Sequence, residues 1–374
     1  MRKKILFAAV AVAALTACSN DDVVDVNKGN GISFRTSMDK PLTRAKVINK
    51  ENLEVFKVTA IGNGANYFTN LDVKSDDQGE NWKTASTYYW PDYKLDFFAY
   101  APTTVSNVSI GNTEKKIIGF SPKQEVNTQE DLVISYNTGT KEANTNGVAM
   151  NFKHALSQIE VQAKCLNEKI KVEVLGVKLE NAAATADFIF PEEETGVAYS
   201  LQKEKWSNPS GLNEHGKAYM IKGENSITLG KDPQSIMFGD NNFMLIPQQL
   251  TGWNSTAEKT GAYLSVLCCI SSLDGLNETQ IYPKPGAGGK KYAFSAVSIS
   301  TLWEPGKKYT YTLTFAGEGG GGGRIDPNPT GPTEPVDPVI DPNPGQGGDT
   351  ILGNPIKFTV AVDDWMDKLE NVPM

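Results

Sequence analysis

Ile356-Lys357-Phe358-Thr359-Val360-Ala361-Val362, close to the C-terminus, places a large apolar side chain at every second position. That is the period by which a strand presents one face to a core. A shorter counterpart, Ile32-Ser33-Phe34-Arg35-Thr36, stands near the N-terminus, and both stretches begin Ile-x-Phe. The N-terminal stretch is followed by Leu42-Thr43-Arg44-Ala45, a site for an enzyme of trypsin-like specificity. The C-terminal stretch follows a long Gly/Pro-rich segment. A strand that can be cut away and a similar strand on a tether suggest that one replaces the other between molecules. That is the logic of a self-assembling subunit rather than of an enzyme.

Between these two stretches the chain reads as all-β. Helical periodicity is scarce, and short alternating runs are separated by Gly, Asn, Asp and Pro, as in β-sandwiches. Strands are expected at residues 53–61, 95–100, 159–163, 170–174, 227–229, 243–246 and 309–315. Asn151-Phe152-Lys153-His154-Ala155-Leu156-Ser157 reads as a short helix or as a turn leading into the strand at Ile159. The polar Leu166-Asn167-Glu168-Lys169 marks the expected break between two domains.

After Phe315 the composition shifts. Residues 317–323 are nearly all glycine, and Asp-Pro or Asn-Pro pairs recur at 326–327, 328–329, 337–338, 341–342 and 343–344. Glycine is costly to order and proline cannot donate to a ladder, so this segment reads as a linker. About 38 residues of flexible chain give a mean reach of roughly 30–40 Å, enough to cross to a neighbouring subunit. The apolar strand beyond it must bury its face somewhere, either against its own chain or in a neighbour.

The N-terminus reads as an export signal. Arg2, Lys3 and Lys4 precede an apolar stretch from Ile5 to Leu15 that is short for a bilayer span. Leu15-Thr16-Ala17-Cys18 has the small residues before cysteine of a bacterial lipoprotein signal, with the lipid on Cys18; the alternative is an ordinary signal peptide that happens to carry a cysteine. Ser19-Asn20-Asp21-Asp22 resembles the acidic tract that sends some Bacteroidetes lipoproteins to the outer surface. The whole chain holds 36 basic and 44 acidic residues, a net charge of −8. An acidic balance argues against nucleic acid as a partner. Cys165, Cys268 and Cys269 read as small apolar residues, with a Cys165–Cys268 or Cys165–Cys269 bridge left open.

Chemistry-bearing motifs are sparse. His154 and His215 are the two histidines, too few with dispersed carboxylates for a zinc site or a catalytic triad. The glycine run lacks a following Lys-Ser/Thr and is not a phosphate loop. Asp76-Asp77-Gln78-Gly79-Glu80 lacks the spacing of a calcium loop. No catalytic residue, metal or cofactor is therefore expected. Trp82, Tyr88, Tyr89, Trp90 and Tyr93 form an aromatic cluster that reads as core or as a sugar-stacking face, and Asp349-Thr350-Ile351 resembles the O-glycosylation signal of Bacteroides.

Several motifs in this order resemble the fimbrillin superfamily, the type V pilins of Bacteroidales. They are the lipoprotein signal ending at Cys18, Ile32-x-Phe34 before Thr43-Arg44-Ala45, and Trp90 with Leu95-Asp96-Phe97-Phe98-Ala99-Tyr100-Ala101-Pro102. Phe152 to Ile159, Phe243-Met244-Leu245-Ile246-Pro247-Gln248, Trp303-Glu304-Pro305-Gly306-Lys307-x-Tyr309 and the terminal Ile356-x-Phe358-x-Val360-x-Val362-Asp363-Asp364-Trp365 complete the set. The resemblance implies two tandem transthyretin-like β-sandwich domains. It implies export as an outer-membrane lipoprotein, then cleavage between Arg44 and Ala45 by an arginine-specific protease. The cut removes the lipid and the strand of Ile32 and Phe34, and a donor strand of Ile356, Phe358, Val360 and Val362 from another pilin subunit, self or sibling, fills the groove in a surface fimbrium with a role in adhesion.

On this reading the chain comprises a signal peptide (1–17), a lipidated propeptide (18–44), an N-terminal sandwich (45–166), a C-terminal sandwich (167–316), a flexible linker (317–354) and a donor segment (355–374). The long tether also admits an adhesive tip or accessory subunit. A non-polymerising surface lipoprotein that binds host or bacterial glycans is the rival from another class.

Overall fold

The computed structural model describes residues 31–38, 47–75, 82–196, 199–211, 218–239, 241–254, 260–285, 291–318, 321–328 and 340–365. Cys18, Arg44, Ala45, His215 and the segment 76–81 lie outside the described residues. The described residues are all-β, with two short 3-10 turns, Val126–Thr128 and Lys203–Lys205.

In chain order the first strands are β1 (Phe34–Ser37), β2 (Val55–Gly62), β3 (Ala65–Ser75), β4 (Trp82–Thr84), β5 (Leu95–Ala101), β6 (Val108–Ile110), β7 (Lys115–Phe120), β8 (Val133–Gly139), β9 (Val148–Asn151) and β10 (Lys153–His154). There follow β11 (Ser157–Cys165), β12 (Ile170–Glu180), β13 (Thr185–Ile189), β14 (Trp206–Ser210), β15 (Tyr219–Thr228), β16 (Gln234–Ser235) and β17 (Phe243–Leu245). The last are β18 (Tyr263–Asp274), β19 (Asn277–Tyr282), β20 (Ala293–Ser298), β21 (Lys307–Phe315), β22 (Gly323–Ile325), β23 (Thr350–Ile351) and β24 (Lys357–Asp364).

Among the described residues these strands make four sheets. An eight-stranded sheet runs β10-β8-β5-β2-β3-β4-β1-β9, and a four-stranded sheet runs β14-β13-β7-β6. A five-stranded sheet runs β16-β11-β21-β24 with β17 beside β11, and a seven-stranded sheet runs β15-β12-β18-β20-β22-β23 with β19 beside β18.

Burial on both faces explains the composition of the central strands. In β5, Phe97 and Ala99 enter the core of the eight-stranded sheet with Phe34, Phe56, Val58 and Trp82. Phe98 and Tyr100 face the other way and meet Ile117, Phe188, Phe190 and Trp206 from the four-stranded side. A strand covered on both sides reads as a nearly continuous apolar run, which Leu95-Asp96-Phe97-Phe98-Ala99-Tyr100 is. The other two sheets pack face to face: Ile159, Val161, Tyr311 and Leu313 of one meet Val172, Val174, Leu264, Val266 and Cys268 of the other. Cys268 faces this core and Cys269 the opposite side of β18, as the alternation of a strand requires. All three described cysteines are buried free thiols, so neither bridge left open by the sequence is formed.

Three expectations are corrected. Residues 151–157 are not helical: β10 pairs with β8, and β11 begins at Ser157. The break expected at 166/167 does not fall where the sheets divide. β11 already belongs with β21, eight residues of it paired in parallel from Gln158↔Lys308 to Cys165↔Phe315. Beyond it, β13 returns to pair with β7, because Phe188, Phe190 and Trp206 find their apolar partners there.

The described parts of the segment 317–354, residues 317–318, 321–328 and 340–354, are not a plain linker. β22 pairs with β20 and with β23, Ile340 bridges Tyr292, and Ile325 and Ile351 are buried. Several of its described glycines serve close approach rather than freedom. A Cβ on Gly323 (φ +92°) would lie 2.1 Å from the Ser295 hydroxyl oxygen, and one on Gly321 2.0 Å from the Asn354 carbonyl oxygen. The outer face of the seven-stranded sheet, with Leu175, Leu267 and Phe294, needs a cover, and this segment supplies it through Ile340. β1 is an interior strand of the eight-stranded sheet. It lies between β4 and β9, so its loss would open a slot inside the sheet.

Candidate functional site

The two Ile-x-Phe stretches occupy contrasting environments. Ile32, Phe34, Thr36 and Met38 are all buried, so the period-two side of β1 faces inward. Phe34 sits edge-on to Phe56 at 6.0 Å and to Phe97 at 5.6 Å. β1 runs parallel to β9 over Phe34↔Val148, Arg35↔Ala149, Thr36↔Met150 and Ser37↔Asn151, but meets β4 at the single pair Phe34↔Trp82. The Ile32 N–H donates to the Tyr88 carbonyl (2.7 Å), and the Val148 and Phe152 N–H groups donate to Ser33 (2.8 Å) and Ser37 (3.0 Å). The Ser37 hydroxyl donates to the Asn151 side chain. The slot is thus closed on the β9 side by a ladder and looser on the β4 side. Buried Thr36 Oγ1 has no hydrogen-bond partner among the described residues, so the strand is held with one polar atom unsatisfied.

β24 lies at the edge of the five-stranded sheet, antiparallel to β21 through eight register pairs from Lys307↔Asp364 to Thr314↔Lys357. Of the donor set, Ile356 is buried, Phe358 and Val360 are half-buried against the shared core, and Val362 is 52% exposed. Phe358 leans on Tyr311 at 6.0 Å. So the terminal strand closes the sandwich of its own chain here, with its apolar face only partly covered and its outer edge unpaired among the described residues. An unpaired edge is a template for strand addition.

Both ends of β24 are pinned. At the start, the Gly321 N–H donates to the Pro355 carbonyl (3.0 Å) and Lys357 Nζ to the Glu318 carbonyl (3.0 Å). At the finish, the Trp365 N–H donates to the Gly306 carbonyl (3.0 Å), and Lys307 pairs with Asp364. The Trp365 ring is fully buried and stacks on His154, centroids 4.7 Å apart at 25°. His154 Nδ1 is 2.7 Å from Asp131 Oδ2, which also accepts from the Ile48 N–H at 3.1 Å. Thus His154 is a packed core histidine whose Nε2 has no hydrogen-bond partner among the described residues, and residues 47 and 48, shortly after Arg44, are tied to the same place. The local sign of Trp365's anchoring role is a lone tryptophan just beyond an alternating strand.

Of the aromatic cluster, Trp82 is fully buried, Tyr88, Trp90 and Tyr93 pack against the same core, and Tyr89 is exposed. Thr350 is exposed on β23 beside buried Ile351. Sequence reasoning missed a second constellation altogether: buried Lys178 and Glu180 on β12 pair with Asp326 from the segment after β22.

Comparison with known proteins follows the same lines. A family model described as Fimbrillin-like matches residues 43–327, which leaves both Ile-x-Phe strands outside the match. A model of the prokaryotic membrane lipoprotein lipid attachment site matches residues 3–19, which include Cys18. No curated protein matches the chain. Among solved structures, a proposed cell adhesion protein of Parabacteroides distasonis is similar at a TM-score of 0.51 with 9% identity, over 92% of this chain and 99% of that one. A fimbrial protein of Bacteroides vulgatus is similar at a TM-score of 0.49 with 14% identity, over 89% and 99%. At 9% identity the likeness to the Parabacteroides distasonis protein concerns the fold alone.

Proposed function

The chain belongs to the Fimbrillin-like family, and on that premise we propose that it is a structural subunit of cell-surface pili that polymerises by strand exchange. Its precursor is a lipoprotein acylated at Cys18 and carried on the outer membrane. An arginine-specific protease cuts between Arg44 and Ala45, releasing the lipid together with Ile32 and Phe34. The β24 segment of another subunit, self or sibling, then places Ile356, Phe358, Val360 and Val362 in the slot between β4 and β9. The two paired layers of sheets correspond, on this reading, to the tandem transthyretin-like domains of the family.

The observation that carries the proposal is the mismatch in burial between the two Ile-x-Phe strands. Ile32 and Phe34 are buried in their slot, whereas Phe358, Val360 and Val362 leave part of their apolar surface in water. Fully burying such a side chain contributes about 1.5–3 kcal/mol. A strand carrying four of them gains on entering a groove shaped for Ile-x-Phe. Main-chain hydrogen bonds to β9 supply affinity, and alternate pockets supply specificity. A head-to-tail contact of this kind does not close on itself, so it propagates into a fibre.

The test is to treat the chain begun at Ser19 with an arginine-specific protease, locate the cut by N-terminal sequencing and follow polymers by electron microscopy. A single cut before Ala45, with fibres that disappear on deletion of residues 356–374, is the expected result. A resistant Arg44, or a clean cut that leaves monomers, would transfer the reading to an adhesive tip or accessory subunit or to a non-polymerising lipoprotein.

A further inference from the structure

Lys178 and Glu180 stand two residues apart on β12, so both side chains leave the same face of the seven-stranded sheet. Val177 and Leu179 point the other way into the shared core. Asp326 is laid across this outer face by the chain just beyond β22. Lys178 and Asp326 are 0% and 1% exposed. Lys178 Nζ lies 3.0 Å from Asp326 Oδ2 and 3.0 Å from Glu180 Oε1, donates to the Asn328 carbonyl at 2.6 Å, and sits 4.3 Å from the centroid of the Phe294 ring.

The two oxygens of Asp326 are held differently. Oδ1 accepts from the Tyr263 hydroxyl (2.9 Å) and from the Asn328 N–H (2.7 Å). Oδ2 accepts from the Ser265 hydroxyl (2.6 Å) and faces the Lys178 nitrogen. Glu180 accepts from the Asn328 amide at 3.3 Å, and burial holds its carboxyl above the usual range, with the neighbouring Asp326 adding to the effect.

As a stability device this arrangement is poor. Two carboxylates and one ammonium out of water pay a desolvation cost that well-packed apolar residues would avoid. As a reaction site it is complete: an amine against a carboxyl group, two donors on the oxygen that would carry negative charge, and a carboxyl able to move a proton. We propose that Lys178 and Asp326 join spontaneously in an intramolecular isopeptide bond.

The step balances without a co-reactant. One proton passes from the Lys178 ammonium to Asp326 Oδ2, leaving an amine and a carboxylic acid. The nitrogen lone pair forms the Nζ–Cγ bond, and the carbonyl electrons move onto Oδ1, where Tyr263 and the Asn328 N–H stabilise them. Glu180 gives its proton to the Oδ2 hydroxyl and takes one from the nitrogen. The Cγ–Oδ2 bond breaks, one water leaves, the carbonyl reforms, and Glu180 is returned as it began. The product is an amide between β12 and the segment after β22. If the chain works by strand exchange, tension entering through β24 stops at Asp326, and β22 cannot peel from β20. That consequence rests on the pilin reading; the bond does not.

Mass spectrometry of the folded chain, residues 19–374, tests the bond. The expected intact mass is lower than that of the sequence by one water, with one branched proteolytic peptide containing both Lys178 and Asp326. Asp326→Asn should lose ammonia instead of water, because the leaving group has changed. Glu180→Gln, with an unchanged circular dichroism spectrum, should form the bond at least about a hundredfold more slowly. An intact mass equal to that of the sequence, with Lys178 and Asp326 in separate linear peptides after days at neutral pH, would overturn the proposal whatever the variants do.

Discussion

Trp365 shows how one side chain holds a strand against its own chain. Its ring is fully buried on His154, while its Nε1 has no hydrogen-bond partner among the described residues. An orphaned buried donor costs about 1–3 kcal/mol, whereas truncating a buried tryptophan to alanine costs about 3–5 kcal/mol, so packing outweighs the defect. Trp365→Ala should therefore release the end of β24, and Trp365→Phe, which keeps a ring and removes the orphan, should not. Hydrogen exchange of residues 357–364 reads the difference: faster by tenfold or more in the alanine variant, near wild type in the phenylalanine variant. At the opposite end of the chain, Phe34 packs edge-on against Phe56 and Phe97. Phe34→Ala should cost the uncut chain about 3–5 kcal/mol in urea denaturation. Once a cut at Arg44 has been made and the N-terminal fragment removed, the variant and the wild type are the same molecule, and their melts should coincide.

At the level of elements, β24 has two environments to satisfy, and Val362 separates them. It is 52% exposed on its own chain, so Val362→Lys should leave monomer stability within about 0.5 kcal/mol, as surface substitutions do. In the exchanged state the same position must be buried beside Phe358 and Val360, and an unpaired charge there is prohibitive. Normal urea melts with absent fibres in electron micrographs are expected; normal fibres would mean that β24 is not the donor. Such strands were legible because a half-buried strand prints its period into the sequence, as 309–315 and 356–362 do. The path of the chain was less so. β11 joins β21 rather than the strands before it, and β13 returns to β7, through partners far away in sequence. The segment 317–354 misled for a physical reason: glycine marks both freedom and close approach, and only the neighbours of Gly321 and Gly323 tell which. Lys178 and Asp326, 148 positions apart in the chain numbering, gave no local sign that they would meet.

For the whole molecule, the question is why β24 would leave its own sheet. Docked on β21 it competes as an intramolecular ligand, kept near its own sheet by a connection that is itself folded through β22 and β23. A neighbour's slot can win only by offering deeper burial, and before cleavage Ile32 and Phe34 already fill that slot. Cleavage should therefore act twice, by removing about 3–6 kcal/mol of burial at two side chains and by exposing the backbone groups of β4 and β9 to a new partner. The cut monomer is expected to melt at a lower temperature than the uncut chain. A synthetic peptide of residues 355–374 added in excess should restore the difference, since a ligand specific to the folded state stabilises by mass action. The uncut chain should ignore the peptide. If both forms respond equally, the peptide is adding to the free edge of the five-stranded sheet rather than filling the slot. Polymers would then grow edge to edge without any need for cleavage at Arg44.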